Sequence, residues 1–193
     1  MRIDMDRLIR ASRDGERHPD MDRRNSIHVQ KHFNINYGLS AVTPTYKYVY
    51  LIGSLRNAEV GELGNYIRAS GINVFDDWLA AGPEADDKWK EYEVARGRSY
   101  EEALKGEAAR NVFQFDKRHL DAASAVVLVL PAGKSGHLEL GYSIGRGKRT
   151  AILLDPNADP RWDVMYQFAD QVFSSKEKLL AWLTTELGCS TVV

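Results

Sequence analysis

Residues 125–133 read Ala-Val-Val-Leu-Val-Leu-Pro-Ala-Gly. The apolar run is rich in β-branched side chains, does not alternate with polar residues, and is stopped by a proline. It is too short for a buried helix and too uniformly apolar for a strand with one wet face. The run therefore predicts a strand, Ala125 to Leu130, covered on both sides. Such strands belong to parallel sheets sandwiched between helices.

The same grammar recurs outward from this run. Downstream come a helical stretch from about His137 to Arg146, an apolar strand Thr150 to Leu154, a Pro-bounded loop, a short strand Gln171 to Phe173, and a helix Lys176 to Leu187. Upstream, the charged stretch Pro83 to Ala123 reads as helix with a break near Gly97 or Gly106. It is preceded by a strand Ile72 to Phe75, a helix Glu59 to Ala69 closed by Ser70-Gly71, and a strand Tyr48 to Ile52. Strands linked by helical crossovers of fixed hand predict an α/β fold. Its economical form is a three-layer, doubly wound, parallel five-stranded sheet in the order 2-1-3-4-5, a flavodoxin-like (Rossmann-like) arrangement.

The chain has 193 residues, 44% hydrophobic and 27% charged, which suits one globular domain with an extension. Composition shifts near Thr43-Pro44: the first 47 residues hold nine Lys/Arg against six Asp/Glu, whereas the remainder is net acidic. Residues 1–46 are read as an N-terminal extension, with helical turns at Met5 to Arg10 and a short strand at Ile27 to Val29; residues 47–193 are read as the folded domain. The 26 basic and 27 acidic side chains nearly cancel, so no global field draws the molecule to nucleic acid or an anionic membrane. No apolar run approaches the roughly 20 residues of a spanning helix, and Met1-Arg2-Ile3-Asp4 does not open a signal peptide. A cytoplasmic location is the expectation. Cys189 is the single cysteine, so neither an internal disulfide nor a cysteine metal site is encoded. His28, His32 and His119 lack ligand spacing, and neither metal nor cofactor is expected.

In a sheet of this order, ligands bind beyond the carboxyl ends of the strands, where the loops after the first and third strands lie side by side. Those loops are Gly53-Ser54-Leu55-Arg56-Asn57 and Gly133-Lys134-Ser135-Gly136-His137-Leu138-Glu139. Both offer what a phosphate and sugar site needs: Gly53 and Gly136 for close backbone approach, the hydroxyls of Ser54 and Ser135, the cations Arg56 and Lys134, and free N–H groups opening a helix. Gly133-Lys134-Ser135 imitates the end of a triphosphate-binding loop, but the leading glycine of that motif would fall on Leu128, inside a strand. A Gly-x-Ser-x-Gly elbow fails because His137 stands where the last glycine belongs.

What remains is carboxylate chemistry. Glu139 is expected in the first turn of the helix after the central strand, where the helix N-terminus would favour its ionised form; as a plain helix cap it would have no further role. Asp116 leads into the same strand and is either a proton carrier or a solvated helix residue. An ionised nucleophile and a proton carrier are the minimum set for breaking a glycosidic bond.

Tyr50-Leu51-Ile52-Gly53-Ser54-Leu55-Arg56, Asp116 before the third strand, and Ser135-Gly136-His137-Leu138-Glu139-Leu140-Gly141-Tyr142 together resemble the nucleoside 2-deoxyribosyltransferase superfamily, over about residues 47–185. In its loops the chain is most similar to the nucleoside 5′-monophosphate N-glycosidase branch. The resemblance implies Glu139 as the nucleophile at C1′, Asp116 as the proton shuttle, and Tyr50 as the aromatic beside sugar and nucleophile, though a tyrosine there also suits the core. It implies Ser54 and Arg56 as phosphate ligands, with Ser135 and Lys134 completing the cradle. It implies a small-molecule nucleoside or nucleotide as substrate and a homodimer or higher homo-oligomer. Many transferases of the superfamily carry an aspartate six residues before the nucleophile; Gly133 stands there in this chain. Trp78 either stacks on a base or closes the core. Asp163-Val164-Met165 is a faint echo of a segment that relatives donate to a neighbouring subunit. Rival readings are an NAD glycohydrolase of the Toll/interleukin-receptor type, a non-catalytic nucleotide sensor, and an interaction module acting through the basic extension.

Overall fold

The run at 125–130 forms the central strand of an all-parallel sheet. The structure, a computed structural model, describes residues 47–155, 157 and 162–188. The readings made for the extension, for Met5 to Arg10, for Ile27 to Val29 and for Cys189 lie outside the described residues. In chain order the described elements are β1 (Tyr48–Ile52), α1 (Glu59–Arg68), β2 (Asn73–Phe75), α2 (Ala85–Ala95), α3 (Tyr100–Leu104), α4 (Glu107–Ala122), β3 (Ala125–Val129), α5 (Lys134–Gly145), β4 (Arg149–Leu153), β5 (Gln171–Phe173) and α6 (Lys176–Leu187). Two 3-10 turns, Asp77–Ala81 and Val164–Phe168, follow β2 and precede β5.

The sheet order is β2-β1-β3-β4-β5, the flavodoxin-like order expected. β1 pairs on one side with β2 (Tyr50 opposite Phe75) and on the other with β3 (Tyr50 opposite Val126), so Tyr50 sits mid-sheet. Every residue of β3 is buried, which is why its sequence does not alternate.

Strand periodicity divides the core into two layers. On one face Val49, Leu51, Val127 and Val129 pack with Val60, Leu63 and Ile67 of α1 and Leu179, Leu183 and Leu187 of α6. On the other, Tyr50, Ile52, Val126 and Leu128 pack with Leu120 of α4 and Leu140 of α5.

The long charged stretch breaks at both glycines rather than one. Gly97, at φ +71°, follows α2 in the left-handed region that favours glycine. Ser99 then opens α3 with a capping box: its side chain accepts from the Glu102 N–H, and Glu102 accepts from the Ser99 N–H at 2.9 Å. Gly106 caps α4. The helix after β3 begins at Lys134, three residues earlier than the apolar pattern suggested, because the polar Lys134-Ser135-Gly136 forms its first turn. No helix among the described residues is long and apolar enough to cross a membrane.

Candidate active site

The first and third loops meet as the sheet order requires. Asn57, buried, donates from Nδ2 to the Pro131 carbonyl at 3.3 Å, and its Oδ1 accepts from the Glu59 N–H at 3.1 Å. One side chain thus ties the first loop to the third and takes up the first N–H of α1. Gly53 and Gly136 line this junction for steric reasons. A Cβ on Gly53 would lie 2.5 Å from Val60 Cγ2, and one on Gly136 would lie 3.0 Å from Ile52 Cγ2 and 3.1 Å from Leu128 Cδ1. Ser54 Oγ accepts from the Arg56 N–H at 3.2 Å, a local turn that points the loop outward. Arg56 is exposed and paired with Asp87 of α2, Nη2 to Oδ2 at 2.6 Å. Lys134 and Ser135 are exposed in the first turn of α5.

Below these loops, α4 and α5 bring Asp116 and Glu139 together over Tyr50. Both carboxyls are half-buried, and among the described residues neither has an ion-pair or hydrogen-bond partner. Burial first, and then the Asp116 carboxyl, pushes Glu139 up to about 7; burial pushes Asp116 up to about 6. Burial also raises the Tyr50 phenol, followed by the charges of Glu139 and Asp116, so all three groups share one electrostatic neighbourhood. The ring of Tyr50 is packed in the core and stacked on Phe75 at 5.1 Å.

One expectation is corrected. Glu139 is the sixth residue of α5, in its second turn, so the helix N-terminus does not hold it ionised. Burial, and for Glu139 the neighbouring Asp116 carboxyl as well, acts in the opposite direction and favours the protonated forms. The capping alternative for Glu139 fails on the same register, since α5 has no acidic residue in its first turn.

The remaining candidates divide clearly. Trp78 is half-buried against both core layers and donates from Nε1 to the Leu51 carbonyl at 2.8 Å, one residue beyond the last pair of β1 with β2. It closes the sheet edge. His137 is fixed by Nδ1 against the Gly133 carbonyl at 2.8 Å and by Nε2 against the Tyr166 hydroxyl at 3.2 Å. That pair joins α5 to the 3-10 turn Val164–Phe168, which Asp163 caps by accepting from the Met165 N–H at 2.9 Å. Among the described residues no cluster of His, Cys, Asp or Glu could hold a metal ion.

Two contacts here were not expected from the sequence. Asn57 closes the quoted first loop, and a buried asparagine there could have been suspected from the need to satisfy loop backbone groups. Asp87 is 31 residues from Arg56, and nothing local announces their pairing.

No family model and no curated protein matches the chain. Among solved structures it is similar to a 2-deoxyribosyltransferase from the psychrotolerant bacterium Bacillus psychrosaccharolyticus, at 17% identity over 69% of this chain and 90% of the other, with a TM-score of 0.46. A likeness at that level assigns no residue a role.

Proposed function

We propose that this chain is an enzyme that breaks the N-glycosidic bond of a nucleoside or nucleoside 5′-monophosphate, with residues 47–193 as its catalytic domain. The observation that carries the reading is the Asp116 and Glu139 carboxyls, each raised by burial, lying beside Tyr50 and without an ion-pair partner among the described residues. A structural ion pair would give the opposite signature, a carboxylate held low by a cation.

The chemistry needs one proton on the pair: Glu139, the carboxyl raised further by its surroundings, gives it up to Asp116 as substrate binds. With substrate bound, Glu139 attacks C1′ as the carboxylate; the C1′–N bond breaks, and its electron pair leaves on the base, which takes the proton from Asp116. The resulting glycosyl ester on Glu139 is opened by water, whose proton returns to Asp116, or by a second base in a transferase. Arg56, Ser54, Lys134 and Ser135, with the opening N–H groups of α5, provide the anion-binding side for a 5′-phosphate. The exposed Leu138, Trp162, Val164, Met165 and Phe168 support burial of this edge against a second copy in a homodimer or larger homo-oligomer, measurable by light scattering.

The test is incubation with ribo- and deoxyribonucleosides, their 5′-monophosphates and NAD, with and without an added free base, scored by chromatography for released or exchanged base. Base release that disappears in Glu139→Ala supports the reading. Full activity in that variant overturns it, and cleavage of NAD alone would favour the glycohydrolase.

A further inference from the structure

We infer that Asp87 is a built-in competitor for the substrate phosphate, so that a 5′-monophosphate gains Arg56 by exchange with a carboxylate rather than by filling a vacant guanidinium. The inference rests on the assignment of Arg56 to the phosphate in the proposed function. Its own observation is the Arg56–Asp87 pair itself. The guanidinium of the first loop is bound to Asp87 Oδ2 at 2.6 Å, and both side chains are well exposed, at 64% and 59%.

Three features make this pair an exchangeable contact rather than a brace. First, it joins two elements that both lie at the carboxyl ends of the strands, the loop after β1 and the first turn of α2, so the carboxylate occupies the side from which a phosphate would arrive. Second, only Nη2 is engaged, whereas a phosphate can take a guanidinium through two parallel bonds. Third, exposed pairs are weakly held, so an incoming dianion can displace a single carboxylate oxygen at little cost. A nucleoside without phosphate has no reason to break the pair. Asp87 thereby sets how strongly the site distinguishes monophosphates from nucleosides. The contact also links phosphate arrival to release of the first turn of α2.

The experiment measures equilibrium binding by calorimetry of the four 2′-deoxyribonucleoside 5′-monophosphates and their matched nucleosides at low and high salt. It compares the wild-type chain with Asp87→Asn, Arg56→Gln and the double variant, and scores base release on the same samples. Asp86→Asn, an exposed neighbour without an ion pair among the described residues, controls for the general field. Asp87→Ser is a second variant that keeps a helix-opening residue. Asp87→Asn and Asp87→Ser are expected to tighten monophosphate binding about two- to fivefold at low salt, the range of an exposed ion pair, and to leave nucleosides unchanged. The gain should vanish in the Arg56→Gln background and be absent in Asp86→Asn. Weaker monophosphate binding in Asp87→Asn would make the pair a brace, and an equal shift for nucleosides would make Asp87 a base or sugar contact. Persistence of the gain without Arg56, or no monophosphate binding by the wild-type chain, likewise overturns the inference. Absence of base release with the exchange pattern intact would sink the glycosidase reading and leave this inference standing.

Discussion

On one face of the sheet Val49, Leu51, Val127 and Val129 meet Ile67, Leu179 and Leu183 in a layer of hydrocarbon; on the other, the same strands present Tyr50, Val126 and Leu128 to Leu120 and Leu140, and two carboxyls enter from the covering helices. The strands are shared, so the difference lies in what α4 and α5 add. α1 and α6 seal their face. α4 and α5 pack Leu120 and Leu140 onto theirs and bring Asp116 and Glu139 beside Tyr50. Half-burying a carboxyl without a cation costs free energy, and a fold tolerates that expense where chemistry needs a shiftable proton. One face is sealed hydrocarbon, and the other holds two carboxyls that have no cation beside them among the described residues.

The sharpest separation of the two faces comes from opposite substitutions. Glu139→Ala should lower base release by about three orders of magnitude or more while the chain stays folded, checked by chromatography and circular dichroism. Leu183→Ala, on the sealed face, should lower unfolding free energy by about 2–5 kcal/mol in denaturant titration and leave turnover per folded molecule unchanged. Equal loss of activity per folded molecule in both variants would erase the distinction.

The pH dependence sharpens the comparison further. Glu139 has a folded-state pKa raised from 4.5 to about 7, and Asp116 one raised from 3.8 to about 6. The folded chain therefore binds more protons than the unfolded chain between those limits. Their contribution to stability is fully present below about pH 4 and is lost as pH rises through about 7. Glu139→Gln should remove much of that loss, raising stability at pH 8 by about 1–3 kcal/mol relative to the parent, while adding little at pH 4. Base release should peak between the two titrations, because it needs one proton on the pair and one carboxylate free. A parent chain whose unfolding free energy is flat from pH 4 to pH 8 would mean that the carboxyls face water.

Much of this was legible in the sequence because apolar runs report burial directly. The uninterrupted Ala125–Val129 announces a two-sided strand, and a parallel sheet of five short strands with mostly helical crossovers leaves few sheet orders to choose from. The sheet order in turn nominates the two loops that Asn57 joins. Helix starts were harder to read. Lys134-Ser135-Gly136 has no apolar periodicity, so the register of Glu139 was misplaced by nearly a turn and the sign of its electrostatic environment with it. Pairings between distant exposed side chains, such as Arg56 with Asp87, leave no periodic trace at all. Nor could spacing reveal that Asp116 and Asp121, on one helix, live in opposite environments: burial raises the first, and hydrogen bonds from Lys117 and then Tyr142 lower the second.

That last contrast supplies the smallest expected effect. Tyr142 lies three residues beyond Glu139 on α5 and donates its hydroxyl to Asp121 Oδ1 at 2.6 Å; Asp121 lies five residues beyond Asp116 on α4. Lys117 donates to the other carboxylate oxygen at 2.5 Å, and Lys148 binds the carbonyls of Asp121 and Ala123 at 2.6 and 2.9 Å. The cluster pins α4 to α5 just past the point where the two helices present their unpaired carboxyls. Tyr142→Phe removes the hydroxyl and keeps the ring against Lys117, so it should lower Tm by only a few degrees. If the pin also sets the distance between Asp116 and Glu139, kcat should fall about threefold to tenfold with KM little changed, and the pH optimum should shift as the mutual influence of the two carboxyls changes. A lower Tm with kcat and pH profile intact would show that the cluster holds the helices without setting the chemistry, and that the apolar packing of this face sets the geometry of the carboxyls.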